Sequence, residues 1–202
     1  PGLIPGFYFQ PDAKLLDIWF PNIHDADEAL LIYDGQVFMI DCGDERAGAR
    51  GALLLKQLGI TKIDRLYNSH LHHDHINGLA LTDDIASVGE IRICFSPDET
   101  ASGLQMLDTA EERGIPVLEY RDGDTARMGD GAVTLRFWVN GDADLDMNNR
   151  SGQTLVTYGE RSILFTGDME RAGQERLLER VGAEALRCDI LKYPHHAKSE
   201  MY

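Results

Sequence analysis

Four histidines and an aspartate fall within the six residues that follow Ser69, in the stretch Ser69–His75 (SHLHHDH). Two more histidines stand together at His195-His196, directly after Pro194, and His24 stands alone. Imidazole and carboxylate donors without a neighbouring thiolate suit zinc, iron or manganese in an open site, and they argue against a closed structural zinc site. On a strand-to-loop turn, His70 and His72 share one side because strand side chains alternate. Asp74 and His75, past the bend, point to a second position. One short peptide can thus serve two adjacent ions, which a two-metal site holds roughly 3.5–4 Å apart around a bridging group. The same alternation turns His73 away from both. The lone His24 reads as an ordinary structural histidine satisfying a buried hydrogen bond.

A bridge must come from elsewhere in the chain. Asp168 ends the run SILFTGD, and Gly167 before it allows close approach. The competing reading makes Asp168 the N-cap of the helix that follows. His195 and His196 also follow a strand end, and one of them can complete the second position. Asp41, at the end of FMIDCGD, suits a carboxylate that holds the far ring nitrogen of a ligand histidine; the alternative is an ordinary turn carboxylate.

These residues need elements to position them. Strand signals lie at 15–20, 29–33 and 37–41, with Asp34-Gly35 as a tight hairpin turn between the last two. A helix is expected over 48–58, with Leu53, Leu54 and Leu58 on one side and Gly59 as its stop. A short strand at 65–69 leads into the histidine cluster, and 76–81 reads as helical. Strands follow at 91–95, 117–120 and 132–139, with a helix at 103–113 among them. Residues 141–150 form a polar loop. A hairpin spans 154–158 and 162–166, a helix covers 170–181, and a last strand at 189–193 runs into the histidine pair. In that last helix, Glu175 and Glu179 repel, so charge pairing is not expected to drive it. Strands and helices mixed in this order give an α/β fold, two sheets covered by helices.

Composition narrows the function. The chain has 202 residues, with 19 Lys and Arg against 34 Asp and Glu, a net charge of −15. Such a field repels polyanions and argues against broad nucleic-acid binding. A small anionic substrate remains open, because bound divalent ions reverse the sign locally. There is no apolar run long enough to span a membrane. Cys42, Cys94 and Cys188 form no CxxC pair and read as small buried residues that leave the compartment open. The sequence is silent on oligomeric state. It starts at Pro1 without a leader pattern, so an export signal trimmed from it would be out of view, and it stops six residues after His196, which is expected of one domain over 1–202 truncated at its C-terminus.

The order FMIDCGD, SHLHHDHINGL, LFTGD, PHH resembles the metallo-β-lactamase superfamily over about residues 15–200. The resemblance implies a four-layer αββα sandwich with a dinuclear metal site at one edge. It implies His70 and His72 as ligands of the first metal, Asp74 and His75 of the second, Asp168 as the bridge and His196 as the last ligand of the second. The ions implied are two divalent cations, zinc first, with manganese or iron as options. Most members carry a further histidine before the bridging aspartate; here that region reads Asn148-Asn149-Arg150-Ser151-Gly152. The segment is similar to a branch that includes the hydrolase domain of bacterial competence DNA-uptake channels and the bacterial phosphorylcholine esterases of teichoic acid. The usual HHGS reads His195-His196-Ala197-Lys198-Ser199, a second small departure.

Without a third histidine the first metal is more open, and a phosphate oxygen can fill the vacancy. The expected reaction is phosphodiester hydrolysis by a metal-bridging hydroxide. In it Asp74 is expected to take part in catalysis, His195 to bind a phosphoryl oxygen or protonate the leaving group, and Asn149 with Ser151 to position substrate. A structural turn is the other reading of Asn149 and Ser151. The alternatives for the chain as a whole are a lactone, thioester or amide hydrolase, a redox di-iron protein of the same fold, and an inactive metal-binding domain. Specificity is expected from 141–150, Tyr193 and whatever follows Tyr202. Trp19, Phe20 and Tyr202 are possible walls for a choline-like cation, although core packing is the plainer reading of Trp19 and Phe20.

Overall fold

In the computed structural model, residues 11, 12 and 14–198 are described. The elements in chain order are β1 (Asp17–Trp19), β2 (Glu28–Tyr33), β3 (Gln36–Cys42), α1 (Glu45–Leu58), β4 (Lys62–Ile63), β5 (Arg65–Tyr67), α2 (His73–Ile76), α3 (Leu79–Ile85), β6 (Ser87–Val88), β7 (Ile91–Ile93), α4 (Ala101–Arg113), β8 (Val117–Glu119), β9 (Thr125–Met128), β10 (Val133–Trp138), β11 (Gln153–Tyr158), β12 (Arg161–Phe165), α5 (Arg171–Val181) and β13 (Ile190–Leu191).

Two sheets carry the fold. The first runs β1-β2-β3-β5-β7-β8 and the second β13-β12-β11-β10-β9. β2 and β3 form the expected hairpin, with Asp34 and Gly35 both at positive φ. From β3 onward the first sheet is parallel, so helices must cross over it. Residues on alternate sides of β2 show the layering: Leu31 and Tyr33 face the core between the sheets with Phe38, Phe137 and Phe165, while Leu30 and Ile32 face the core shared with Leu55, Leu79 and Met106 of the helices. A third cluster packs Leu177 of α5 on Trp138 and Leu164 of the second sheet. The layers are helix, sheet, sheet, helix, the αββα sandwich.

Local chemistry sets the helix ends. The Asp44 side chain accepts from the Ala47 N–H at 2.6 Å to start α1, and Gly59 in the left-handed region ends it. The buried face of α1 is Gly48, Gly51, Ala52, Leu55 and Leu58, and Leu53 is exposed, against expectation. Small residues let α1 sit close: a Cβ on Gly48 would meet Gly78 at 3.0 Å, and one on Gly51 would overlap the Glu28 carboxylate.

Other expectations shift at the edges. The 76–81 helix splits into α2 and α3, and the helix expected from 170 begins at Arg171. That helix does carry a charge pair within itself, Arg171 with Glu175 at 3.0 Å, exposed and of small consequence. β4, β6 and β9 were not expected. Cys42 is buried, while Cys94 and Cys188 are only partly so. His24 is exposed, not a buried structural histidine. Ser199 and Tyr202 lie outside the described residues.

Candidate metal centre

The histidine motif sits where β5 runs out into α2. Leu71, between His70 and His72, is fully buried in the helix-side core, so the two histidines turn the other way. His70 Nε2 and His72 Nδ1 lie 3.0 Å apart. The chain then turns into α2, whose first residue, His73, points to solvent with 69% of its side chain exposed. It stands outside the buried cluster, touching only its rim where Nδ1 lies 3.7 Å from Asp74 Oδ1, and a helical turn, not strand alternation, aims it outward. His75, one turn further, is fully buried.

Ligand atoms of Asp74, His75, Asp168 and His196 all lie within 4.8 Å of one another. His75 Nε2 is 3.1 Å from Asp168 Oδ1, and His196 Nε2 is 3.3 Å from Asp74 Oδ2 and 3.5 Å from Asp168 Oδ2. His75 Nε2, Asp168 Oδ1 and His196 Nε2 are buried and lack hydrogen-bond geometry to any partner. Buried polar atoms that converge without bonding one another are costly. A cation among them satisfies all three, so the donor set fits a divalent metal. The helix-capping reading of Asp168 fails, because Glu170 occupies the N-cap position of α5.

The cluster is charged to match. Burial works to lower the His196 pKa, but Asp168, Asp27 and Asp74 outweigh it and push it up to about 11. Burial likewise works against charged His75, yet Asp41 and Asp168 push it up to about 10. Burial favours a protonated Asp168, but His196 and His75 hold it well below the usual carboxylate range; Asp74, facing the same pair, is brought down to about 2. Burial first, and the neighbouring His75 with it, keep His70 and His72 down, and so neutral, with lone pairs to donate. The protons that these carboxylates hold on His75 and His196 stand where a divalent cation would meet the same nitrogens and oxygens.

A surrounding layer of hydrogen bonds holds the donors. Asp41, at the end of β3 with φ of 55°, accepts from Ser69 N–H at 2.7 Å, Ser69 Oγ at 2.7 Å and Asn68 Nδ2 at 3.0 Å, and faces His75 Nδ1 at 2.8 Å. Accepting the Nδ1–H hydrogen bond fixes the ring so that Nε2 is the nitrogen on the Asp168 side. Ser151 Oγ accepts from the Asp168 N–H at 3.3 Å, and the Gly152 N–H donates to the Ser69 carbonyl at 2.8 Å. The Asn148–Gly152 segment therefore ties Asp168 to the histidine motif.

Asn149 is placed differently from expectation. Its Oδ1 accepts from the Gly173 N–H at 2.8 Å and its Nδ2 donates to Asp146 at 3.0 Å, so both side-chain polar atoms are engaged in anchoring the turn to α5. These contacts match the turn reading of Asn149.

Three residues of the site carried no sequence signal. Asp27 Oδ1 lies 3.3 Å from His196 Nδ1, and its other oxygen pairs with Lys192. The Asp27 N–H donates to the Asp74 carbonyl at 3.1 Å, which locks it in place. Glu170 Oε1 lies 2.9 Å from His195 Nδ1, while His195 Nε2 is 3.9 Å from Asp168. His195, His196 and Ala197 all have positive φ, a strained turn that these carboxylate contacts help to hold. Beside the centre, Phe20, Asp27, Asp41, Phe165, Gly167 and Lys192 line a cavity of about 160 Å³. Phe20 is half exposed and stacks on Phe165 at 5.9 Å, whereas Trp19 packs on the core.

An αββα sandwich with a histidine and aspartate cluster at one edge of its paired sheets defines a class of metal-binding proteins built for hydrolysis. The chain belongs to the metallo-β-lactamase superfamily, whose family model matches residues 29–202. It is 26% identical over 141 residues to ComE operon protein 3 of Bacillus subtilis (strain 168), covering 68% of this chain and 17% of that protein. It is 33% identical over 93 residues to a ribonuclease Z of Methanococcus maripaludis, covering 45% of this chain and 28% of the relative. The chain thus spans under a third of these curated relatives. Among solved structures, a subclass B3 metallo-β-lactamase with an active-site glutamic acid superposes with a TM-score of 0.65 at 17% identity, covering 89% of this chain and 76% of that one. A metallo-β-lactamase from Cronobacter sakazakii with a HARLDQ motif gives 0.59 at 18%, covering 86% and 73%. At such identities the likeness shows the fold. Among the described residues no helix is long and apolar enough to cross a membrane.

Proposed function

We propose that the chain is a dinuclear hydrolase, with zinc as its ion and a phosphodiester as its substrate. The observation that carries this is the convergence of buried, unbonded His75 Nε2, Asp168 Oδ1 and His196 Nε2 beside the His70–His72 pair. His70, His72 and Asp168 would hold one ion, and Asp74, His75, His196 and the same Asp168 the other. Ions bound there would bring a shared water toward a pKa of about 7 and neutralise charge on phosphoryl oxygens.

The chain's own groups complete the reaction. Glu170 takes the Nδ1 side of His195, so that Nε2 faces the cluster and can give a proton to the departing oxygen. Asp41 and Asp27 fix the ring orientations of His75 and His196. The region where most members of the superfamily carry one more histidine holds Asn148–Gly152, leaving room at the first ion for a phosphoryl oxygen. The names of the Methanococcus relatives support a phosphodiester, and the net charge of −15 favours a small or single-stranded substrate over a long duplex. An acyl substrate, as in the β-lactamases that share the fold, is the second reading.

Metal-loaded protein assayed side by side on bis(p-nitrophenyl) phosphate and on p-nitrophenyl acyl substrates separates the two. Turnover of the phosphodiester, abolished in Asp168→Ala and His72→Ala, is the expected result. Full activity in either variant, or turnover of acyl substrates alone, refutes it.

A further inference from the structure

A cavity of about 320 Å³ opens between the loop ahead of β2 and the first turns of α1, and its polar lining is His24, Asp25, Asp44, Arg46 and Arg50. Arg46 and Arg50 stand at i and i+4 on one face of α1, an arrangement of like charges that costs a helix stability. Neither has a carboxylate partner among the described residues, in a chain with 34 acids to 19 bases. Arg50 Nη1 donates to the Asn22 carbonyl at 2.7 Å, which fixes the loop; Arg46 has no hydrogen bond or ion pair among the described residues. The two carboxylates that face the cavity are engaged. Asp44 caps α1 through the Ala47 N–H, and Asp25 lies 3.3 Å from Lys198 Nζ.

The cavity adjoins the metal centre. Ala26 lines both it and the 160 Å³ cavity beside the cluster. Asp25 is two residues from Asp27, which touches His196, and two residues of extended chain reach at most about 7 Å. Lys198, on the same rim, follows His196 by two positions.

We propose that this cavity is a phosphate subsite, in which Arg46 and Arg50 receive a second phosphate of a substrate whose scissile phosphodiester lies at the metal centre. The inference rests on the phosphodiester reading and sharpens it, from a lone phosphodiester to one with another phosphate a linkage away, as in an oligonucleotide. Guanidinium forks suit phosphate because two N–H groups can meet two oxygens. A pair of arginines without carboxylate partners among the described residues is also the feature that offsets the repulsion of an acidic protein for such a substrate.

The test is calorimetric binding of thymidine 5′-monophosphate and thymidine 3′,5′-bisphosphate to metal-loaded protein. Wild-type protein is expected to bind the bisphosphate about tenfold or more tighter, since each charge-assisted contact adds on that scale. In Arg46→Gln/Arg50→Gln the ratio of the two affinities falls to within about twofold of one. Because Arg50 also holds the loop, Arg46→Gln alone is the second arm, expected to lower the ratio about threefold or more. A wild-type ratio near one, or a ratio unchanged in both variants, overturns the subsite. Turnover of bis(p-nitrophenyl) phosphate by wild-type protein is scored separately. Its absence with an arginine-dependent ratio sinks the hydrolase reading and keeps the subsite, while its presence without the ratio does the reverse.

Discussion

Replacing Glu28 should make the protein more stable, by an amount that grows with pH. Glu28 opens β2 and lies beneath α1 with 5% of its surface exposed. Both carboxylate oxygens are buried without a hydrogen-bond partner. Burial pushes its pKa from an ordinary 4.5 up to about 8. At about 1.4 kcal/mol per pH unit, the ionised form costs about 5 kcal/mol inside the fold. The unfolded chain loses this proton near 4.5 and the folded chain near 8. Between those values folding must take up a proton, so stability falls as pH rises through the interval and levels off above it.

Glu28→Met keeps the length of the side chain and removes the carboxylate. Its gain in unfolding free energy should be about 3 kcal/mol larger at pH 8 than at pH 5. For a chain of this size that is roughly 6–12 °C more in Tm gained at the higher pH. Thermal unfolding of parent and variant at pH 5, 6, 7 and 8, under one metal loading, reads the difference directly, because the metal-centre groups titrate in both and cancel. Glu28→Gln is the control: it abolishes the pH dependence but gains less, since its amide is left unsatisfied. An equal gain for Glu28→Met at pH 5 and pH 8 would refute the reasoning. So would a loss at pH 8, which would mean that the carboxylate has a partner worth more than its burial costs.

Asp27→Asn removes the carboxylate facing His196 Nδ1 and should weaken binding of the second ion about 10- to 100-fold, measured by competition with a chromogenic chelator. Glu170→Gln should slow a phosphodiester with an alkoxide leaving group about tenfold or more while hardly affecting p-nitrophenolate release, which needs little protonation. Asn149→Ala should cost about 1–3 kcal/mol of stability by stranding the Gly173 N–H, seen in denaturant melts, with kcat retained in the folded fraction. Chelator should abolish turnover and lower Tm together, and readdition of zinc should restore both.

Much of this was legible in the sequence because it is local. The hairpin at Asp34-Gly35, the Gly59 stop of α1 and the histidine run each announce themselves within a few residues, whereas the Asp44 cap, which starts α1 three residues earlier than the expected 48, did not. β9 was not legible: its residues Thr125–Met128 are half polar, and it exists because Ala126 and Met128 pair against β10 and close the inter-sheet core. The face of α1 was misassigned for a related reason. Periodicity marks Leu53 as apolar, but tertiary packing chose the glycine and alanine side, where the helix can approach Glu28 and Gly78.

The same division runs through the metal centre. The donors that share a peptide, His70 to His75, show in the sequence as one cluster. Of the residues that orient them, Asp41 shows at the end of its strand, whereas Asp27 and Glu170 do not, because each is a single charged residue at an element's end. Lys192 and Asp27 are separated by 165 positions and meet only when the edges of the two sheets come together. Asn149 shows the opposite ambiguity. An asparagine pair beside a metal motif suits substrate positioning and turn formation alike, and only the Gly173 and Asp146 contacts decide for the turn. What that turn supplies is indirect: it sets Ser151 against the Asp168 amide and Gly152 against the Ser69 carbonyl, so it joins the Asp168 backbone to the histidine motif. The segment thus acts on the candidate centre through the backbone of the residues proposed as its ligands.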